Sequence, residues 1–167
     1  MRDSQSSSLR HPYEMKIGVI SDTHNFLDPK IPALFKGVEH IIHAGDVGTT
    51  AILSGLEEIA PVTAVFGNTD SMLPLREIEV FELGRHKFYL QHIVEPNTPA
   101  VLFSDRLQRE KPDIIVFGHT HKPFNQTING IWYFNPGYAG RMRFSLERTA
   151  AVLHFERGKM RPEFLKL

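Results

Sequence analysis

Two pairs of residues in this chain have the types and spacing for metal chemistry: Asp22 with His24, and His119 with His121. In an extended segment, residues two apart point to one side, so each pair can grip a single site. Asp46 follows Gly45, Asn68 follows Gly67, and His92 closes an apolar run. Carboxylate oxygen, imidazole nitrogen and amide oxygen together suit borderline divalent ions such as Mn, Fe, Zn or Ni. The glycines before Asp46, Asn68 and His119 allow tight turns and close backbone approach. None of these pieces is decisive alone. Their ordered conjunction, each behind a strand-like run, is what points to a site.

Those residues need a scaffold, and the apolar pattern supplies one. Residues 17–20, 40–44, 62–66 and 114–117 are short β-branched or apolar runs, read as buried strands. Between the second and third lies a helical pattern over residues 51–60. Ile52, Leu53, Leu56 and Ile59 share one face, Thr49 or Thr50 is placed to cap it, and Pro61 stops it. This β-α-β-α-β order predicts parallel strands buried on both faces. Residues 77–83 and 86–90 read as a hairpin around Gly84-Arg85. Residues 100–110 carry Val101, Leu102 and Leu107 in a helical pattern, ended by Pro112. Asn129-Gly130 is a strong hairpin turn, and Arg157-Gly158 marks a last one. The expectation is an α/β domain with a mixed sheet, or two packed sheets, and helices outside. Every candidate ligand falls just beyond a strand, where α/β sheets bind ligands.

Composition narrows the classes. The chain has 167 residues, enough for one domain, here taken as 15–167. Residues 1–14 are polar and serine-rich and read as a disordered tail or a vector-derived scar, with Met15 as an alternative start. Lys plus Arg and Asp plus Glu balance at 19 each, which argues against a basic nucleic-acid binder. The absence of cysteine excludes disulfides, thiolate zinc sites and a thiol nucleophile, and is compatible with a reducing cytoplasm. No apolar run is long enough to span a membrane, and no signal-peptide core is present. The expected location is cytoplasmic.

Asp22-Thr23-His24, Gly45-Asp46, Gly67-Asn68, His92 and Gly118-His119-Thr120-His121 together resemble the calcineurin-like metallophosphoesterase superfamily. The small single-domain bacterial and archaeal phosphodiesterase branch fits best in length. The resemblance implies a four-layer αββα sandwich of two mixed β-sheets flanked by helices. It also implies two divalent metal ions, Mn foremost, with Fe, Zn, Ni or Co as alternatives. Carried over, Asp22, His24 and His121 hold one metal, Asn68, His92 and His119 the other, and Asp46 bridges them. Two cations roughly 3.5–4 Å apart repel, so an anionic bridge is physically apt. The implied reaction is hydrolysis of a phosphodiester or phosphoester by a hydroxide shared between the metals, whose pKa they lower.

The chain also departs from the family pattern. The family's Gly-Asn-His-Glu reads Gly67-Asn68-Thr69-Asp70, so the His that would protonate a leaving group is absent. The expected preference is for leaving groups that need little protonation, such as aryl diesters. Ile93 replaces a common Gly, and Tyr138 replaces a common Ser after Asn135-Pro136-Gly137. Asn68, His43 and Arg141 are the expected substrate contacts, with His43 alternatively placed behind the metals. Asp70 either orients a ligand or caps a turn. His40, His86 and His154 read as structural or exposed, and Trp132 as core. Residues 25–32, 72–76 and 93–99 are where specificity would lie. The competing functions are a non-catalytic scaffold of the same fold, like the retromer subunit, and a nuclease of the superfamily. The full ligand set disfavours the first, and neutral charge the second. A homo-oligomer pairing through the 77–90 hairpin is a further expectation.

Overall fold

A computed structural model describes residues 14–102, 104–143 and 145–167. Of the tail expected over residues 1–14, all but Glu14 lies outside the described residues. Along the chain the elements are β1 (Met15–Ile20), α1 (Ile31–Leu34), β2 (His40–His43), α2 (Thr50–Glu57), β3 (Val62–Ala64), β4 (Ile78–Leu83), β5 (His86–Gln91), α3 (Pro99–Leu102), α4 (Asp105–Glu110), β6 (Ile114–Val116), β7 (Phe124–Ile128), β8 (Ile131–Asn135), β9 (Thr149–Glu156) and β10 (Lys159–Lys166).

The first sheet has the order β10-β9-β1-β2-β3. β1, β2 and β3 are parallel, with Ile17 opposite His40 and Ile41 opposite Val62, while β9 runs antiparallel to β1 and β10. The second sheet has the order β4-β5-β6-β8-β7, with β5, β6 and β8 parallel and both edge strands antiparallel. Both sheets are therefore mixed. The two-residue turns fit their sequences: Asn129 and Gly130 have φ of 51° and 83°, and Arg157 and Gly158 have 50° and 78°. Positive φ at both central residues matches the right-handed twist of the flanking strands.

Residues alternate along each inner strand between two apolar layers, which is why these strands read as continuous apolar runs. Val19, Ile42, Leu90, Val116, Phe134 and Leu153 meet between the sheets. On the outer face of the first sheet, Ile20, Ile41 and Val152 pack with Phe35 of the α1 end and with Ile52 and Leu56 of α2. On the outer face of the second, Tyr89, Ile115 and Tyr133 pack with Leu107 of α4. The result is the four-layer αββα sandwich. Trp132 is in the inner layer, its indole N–H donating to Asn125 Oδ1. Among the described residues no helix is long and apolar enough to cross a membrane.

One expectation changes. The helical pattern over residues 100–110 is two short helices, with residue 103 between them outside the described set. Ser104 leaves the helical region and its Oγ accepts the Leu107 N–H, starting α4 afresh. A serine that caps the backbone competes with helix continuation. Lys111, at φ 47°, ends α4 just before Pro112.

Candidate metal centre

The carboxyl ends of β1, β2 and β3 in one sheet and of β5 and β6 in the other open onto one rim. Backbone bonds lace the loops together there. Asp22 N–H donates to Gly45 O, His24 N–H to Asp46 O and Gly118 N–H to His92 O, each at 3.0 Å. Asp22, His24, Asp46, His119 and His121 are left-handed, with φ of 56°, 45°, 51°, 68° and 57°. This corrects the expected extended pairing: Asp-x-His and His-x-His converge through loop bends and not along a strand. Each such conformation costs about 1–3 kcal/mol in a non-glycine residue and persists only where surrounding structure over-determines it. Two glycines make room. Gly45 has φ 92°, and a Cβ there would lie 2.6 Å from His92 Nδ1. A Cβ on Gly118 would run into Ser21 Oγ and the Asp22 carboxylate.

All seven candidate ligands meet at this rim. Asp22, Asp46 and His92 form a buried floor, His24 and His121 are half-buried, and Asn68 and His119 stand exposed above. Asp46 Oδ2 lies 3.4 Å from His92 Nε2 and 3.7 Å from His24 Nε2, between an imidazole of each set. His121 Nε2 is 3.3 Å from Asp22 Oδ1. Asn68 Oδ1 sits between His92 Nε2 at 3.1 Å and His119 Nδ1 at 3.0 Å. Among the described residues, two sets have ligating atoms all within 4.8 Å of one another: Asp22, His24 and His121, and Asp22, Asp46 and His92.

The donor set fits divalent cations. Asp22 Oδ1 and His24 Nε2 are buried without a hydrogen-bond partner among the described residues, which is costly unless something cationic meets them. His92 Nδ1–H donates to Ala44 O at 2.7 Å, so Nε2 is the atom facing Asp46 and Asn68, and in the neutral ring that ligates a cation it presents a lone pair to both oxygens. Acceptors converging on an acceptor need a cation or a proton between them.

The electrostatics agree. Burial opposes the charged form of Asp46, but bonds from His92 and the Thr69 N–H outweigh it and hold its carboxyl well below the usual range. Burial opposes protonation of His92 too, yet Asp46 and the Ala44 carbonyl raise it. In His24 burial prevails over the pull of Asp46 and Asp22, with help from His121 and Arg143, and the ring stays readily neutral. A neutral imidazole is the form that ligates.

Other residues hold this set in place. Ser21 Oγ donates to Asp22 Oδ2 at 2.6 Å. Asn135 Nδ2 donates to Gly118 O at 2.8 Å, steadying the His119 loop. Asp70 unites the two roles expected for it. Its carboxylate caps its own turn by accepting Gly67 N–H, and it ties the Asp46 loop by accepting Val47 N–H and Gly48 N–H. Tyr138, fully buried, packs its ring 4.7 Å from His121 and 6.1 Å from His24 and donates its hydroxyl to Arg141 O.

One expected substrate contact is corrected. His43 is fully buried and neutral, burial lowering its pKa to about 4. Thr23 Oγ1 donates to Val47 O, so it accepts from His43 Nε2–H, while His43 Nδ1 accepts the Gly45 N–H. No ring nitrogen remains for a substrate, and His43 supports the Asp22 and Asp46 loops instead. Arg141 is exposed, with its guanidinium 4.9 Å from the centre of the Phe26 ring. Arg143, which sequence reasoning passed over, is exposed as well. Its guanidinium lies 5.9 Å from the centre of the Tyr138 ring, whose other neighbours are His24 and His121. No local signal separates these two arginines. His40 and His154 are structural, bonded to Thr63 and Glu163.

Comparison with known proteins gives the family and the fold. The model of the calcineurin-like phosphoesterase superfamily domain matches residues 15–158. A probable metallophosphoesterase of Methanocaldococcus jannaschii is 36% identical over 130 residues, covering 74% of this chain and 67% of that protein. The solved structure of vacuolar protein sorting 29 from Cryptosporidium parvum superposes with a TM-score of 0.72 at 20% identity, covering 93% of this chain and 98% of that one. An archaeal phosphodiesterase superposes with a TM-score of 0.69 at 23% identity, covering 90% of this chain and all of that one.

Proposed function

The chain belongs to the calcineurin-like phosphoesterase superfamily, and from that premise we propose that it is a phosphodiesterase working with two divalent cations, Mn foremost. The observation that carries this reading is the convergence of seven ligand-type side chains, two of whose buried atoms have no hydrogen-bond partner among the described residues. Asp22, His24 and His121 would hold one cation, and Asn68, His92 and His119 the other, with the Asp46 carboxylate between them. When bound, the cations supply charge to offset phosphate oxygens and acidify a water toward neutral pH.

The remaining work falls to the chain. Ser21, Asp70 and the Ala44 carbonyl fix the carboxylates and the His92 tautomer, so ligands are oriented before anything binds. Asn68 and His119, exposed at the rim, are open to the substrate. In the net reaction a water oxygen bonds to phosphorus as the bond to the leaving alcohol oxygen breaks, giving a phosphomonoester and an alcohol. Thr69 occupies the position of the family's acid-donating His. With no imidazole there, aryl leaving groups, which need little protonation, are favoured over alkyl ones.

The likeness to an archaeal phosphodiesterase supports the diester. The likeness to vacuolar protein sorting 29 is one of fold. It keeps a scaffold as the second reading, against which the complete ligand set argues. The test strips the protein with chelator and follows bis-p-nitrophenyl phosphate hydrolysis across added Mn, Ni, Co, Zn and Mg. Metal-restored turnover is expected, with the highest rate in Mn, and Asp46→Asn should lose at least about 100-fold of it. Folded protein with no turnover in any metal would overturn the hydrolase reading. Equal rates on aryl and alkyl diesters would overturn the leaving-group preference.

A further inference from the structure

A cavity of about 160 Å³ opens beside the candidate metal centre, lined by Phe66, Asn68, Glu77, Gln91, His92 and Ile93. Asn68 and His92 are themselves candidate ligands, so a phosphoester held at the centre would have one substituent directed at this space. The cavity is smaller than the roughly 300–1,000 Å³ of clefts that bury drug-sized ligands. It admits a small group and not a nucleoside.

The lining is unusual for an anion-processing site. Glu77, an exposed residue, lines the cavity's edge, and among the described residues it makes no ion pair, the neighbouring Arg76 reaching Glu79 at 3.4 Å. Beside a bound phosphate this negative charge repels a purely anionic substrate. A substrate that carries its own positive charge turns the repulsion into attraction. Phe66 adds an aromatic ring, the usual companion of a carboxylate in ammonium recognition. Gln91 Oε1 accepts the Tyr89 hydroxyl at 3.2 Å, so its position is set within β5.

We propose that the Phe66–Glu77 cavity binds an ammonium group on the alcohol that stays on phosphorus, making zwitterionic phosphodiesters of small amino alcohols, whose other and more acidic alcohol departs, the preferred substrate class. This rests on the phosphodiesterase reading for its substrate but not for its binding test. The experiment measures calorimetric binding of phosphocholine and of its uncharged isostere, 3,3-dimethylbutyl phosphate, to Mn-loaded protein. Wild type is expected to prefer phosphocholine by about ten-fold or more. Glu77→Gln should reduce that preference to near parity, and Phe66→Leu should reduce it by a few-fold. Equal affinities in wild type, or a preference that survives Glu77→Gln, would overturn the proposal even if bis-p-nitrophenyl phosphate is hydrolysed. A Glu77-dependent preference in protein that hydrolyses nothing would support the ammonium cavity while the phosphodiesterase reading fails.

Discussion

Asp70 is the residue through which two ligand-bearing loops are held together, and replacing it is the sharpest test of how the centre is built. Its side chain is almost fully buried, and its two oxygens accept Val47 N–H at 2.9 Å, Gly67 N–H at 2.9 Å and Gly48 N–H at 2.8 Å. Asp46 immediately precedes the first donor and Asn68 follows the second. In Asp70→Asn the amide oxygen can keep the two bonds now made to Oδ2. The NH2 group then faces the Gly48 N–H, donor against donor. The loss is one charge-assisted bond, about 1.5–3 kcal/mol, plus weakening of the other two, for about 2–4 kcal/mol in all. For a chain of this length each kcal/mol lowers the melting temperature by about 2–4 °C, so the expected drop is roughly 4–16 °C. Calorimetric melting in chelator reads that change free of metal linkage. A titration of Mn into the same variant should show an affinity loss of about 10–100-fold, typical of residues that orient ligands from behind. A melt within about 1 °C of wild type together with unchanged Mn affinity would refute the reasoning.

Two further outcomes follow from the surrounding contacts. Asp28 and Arg148 form a buried pair at 2.6 Å that joins the loop after His24 to the segment carrying Arg143. Burial opposes the Asp28 charge, but bonds from the Lys30 N–H and Arg148 outweigh it and keep its pKa below the ordinary value. Its stabilisation is thus complete above about pH 4 and fades as pH falls through the lower, folded-state pKa. Asp28→Asn should cost about 3 kcal/mol at pH 7, and urea unfolding at pH 7 and pH 3 should show the gap to wild type narrowing at the lower pH. Gly45→Ala forces a Cβ into a φ of 92° and against the His92 ring. It should cost about 2 kcal/mol or more by thermal melting, whereas Gly84→Ala, with only Met15 Cε nearby at 3.3 Å, should cost clearly less.

How much of this was legible beforehand differs from residue to residue. The seven candidate ligands could be found because each is of a metal-binding type and each ends an apolar run. Asn129-Gly130 and Arg157-Gly158 announced their hairpins through the backbone angles that such turns demand. The helix over residues 100–110 misled because its apolar spacing was sound. The interruption came from the Ser104 hydroxyl, whose choice between solvent and the Leu107 N–H no periodicity records. His43 looked like a substrate contact on the strength of its neighbours, but its two ring nitrogens are consumed by Thr23 and by Gly45.

Side-chain chemistry and the burial of a strand's two faces are local properties, so the α/β alternation, the turns and the ligand-type residues were readable in the sequence, while one sheet or two stayed open. Distances between loops are not local. The packing of the two sheets sets Asp46 Oδ2 between His24 and His92, brings Asp70 to the Val47 and Gly48 amides, and lays Arg143 by Tyr138 and Arg141 on Phe26. The same packing left a cavity between Phe66 and Glu77. Such contacts join residues far apart in the chain, and their geometry follows from the core that pulls β1, β2 and β3 against β5, β6 and β8.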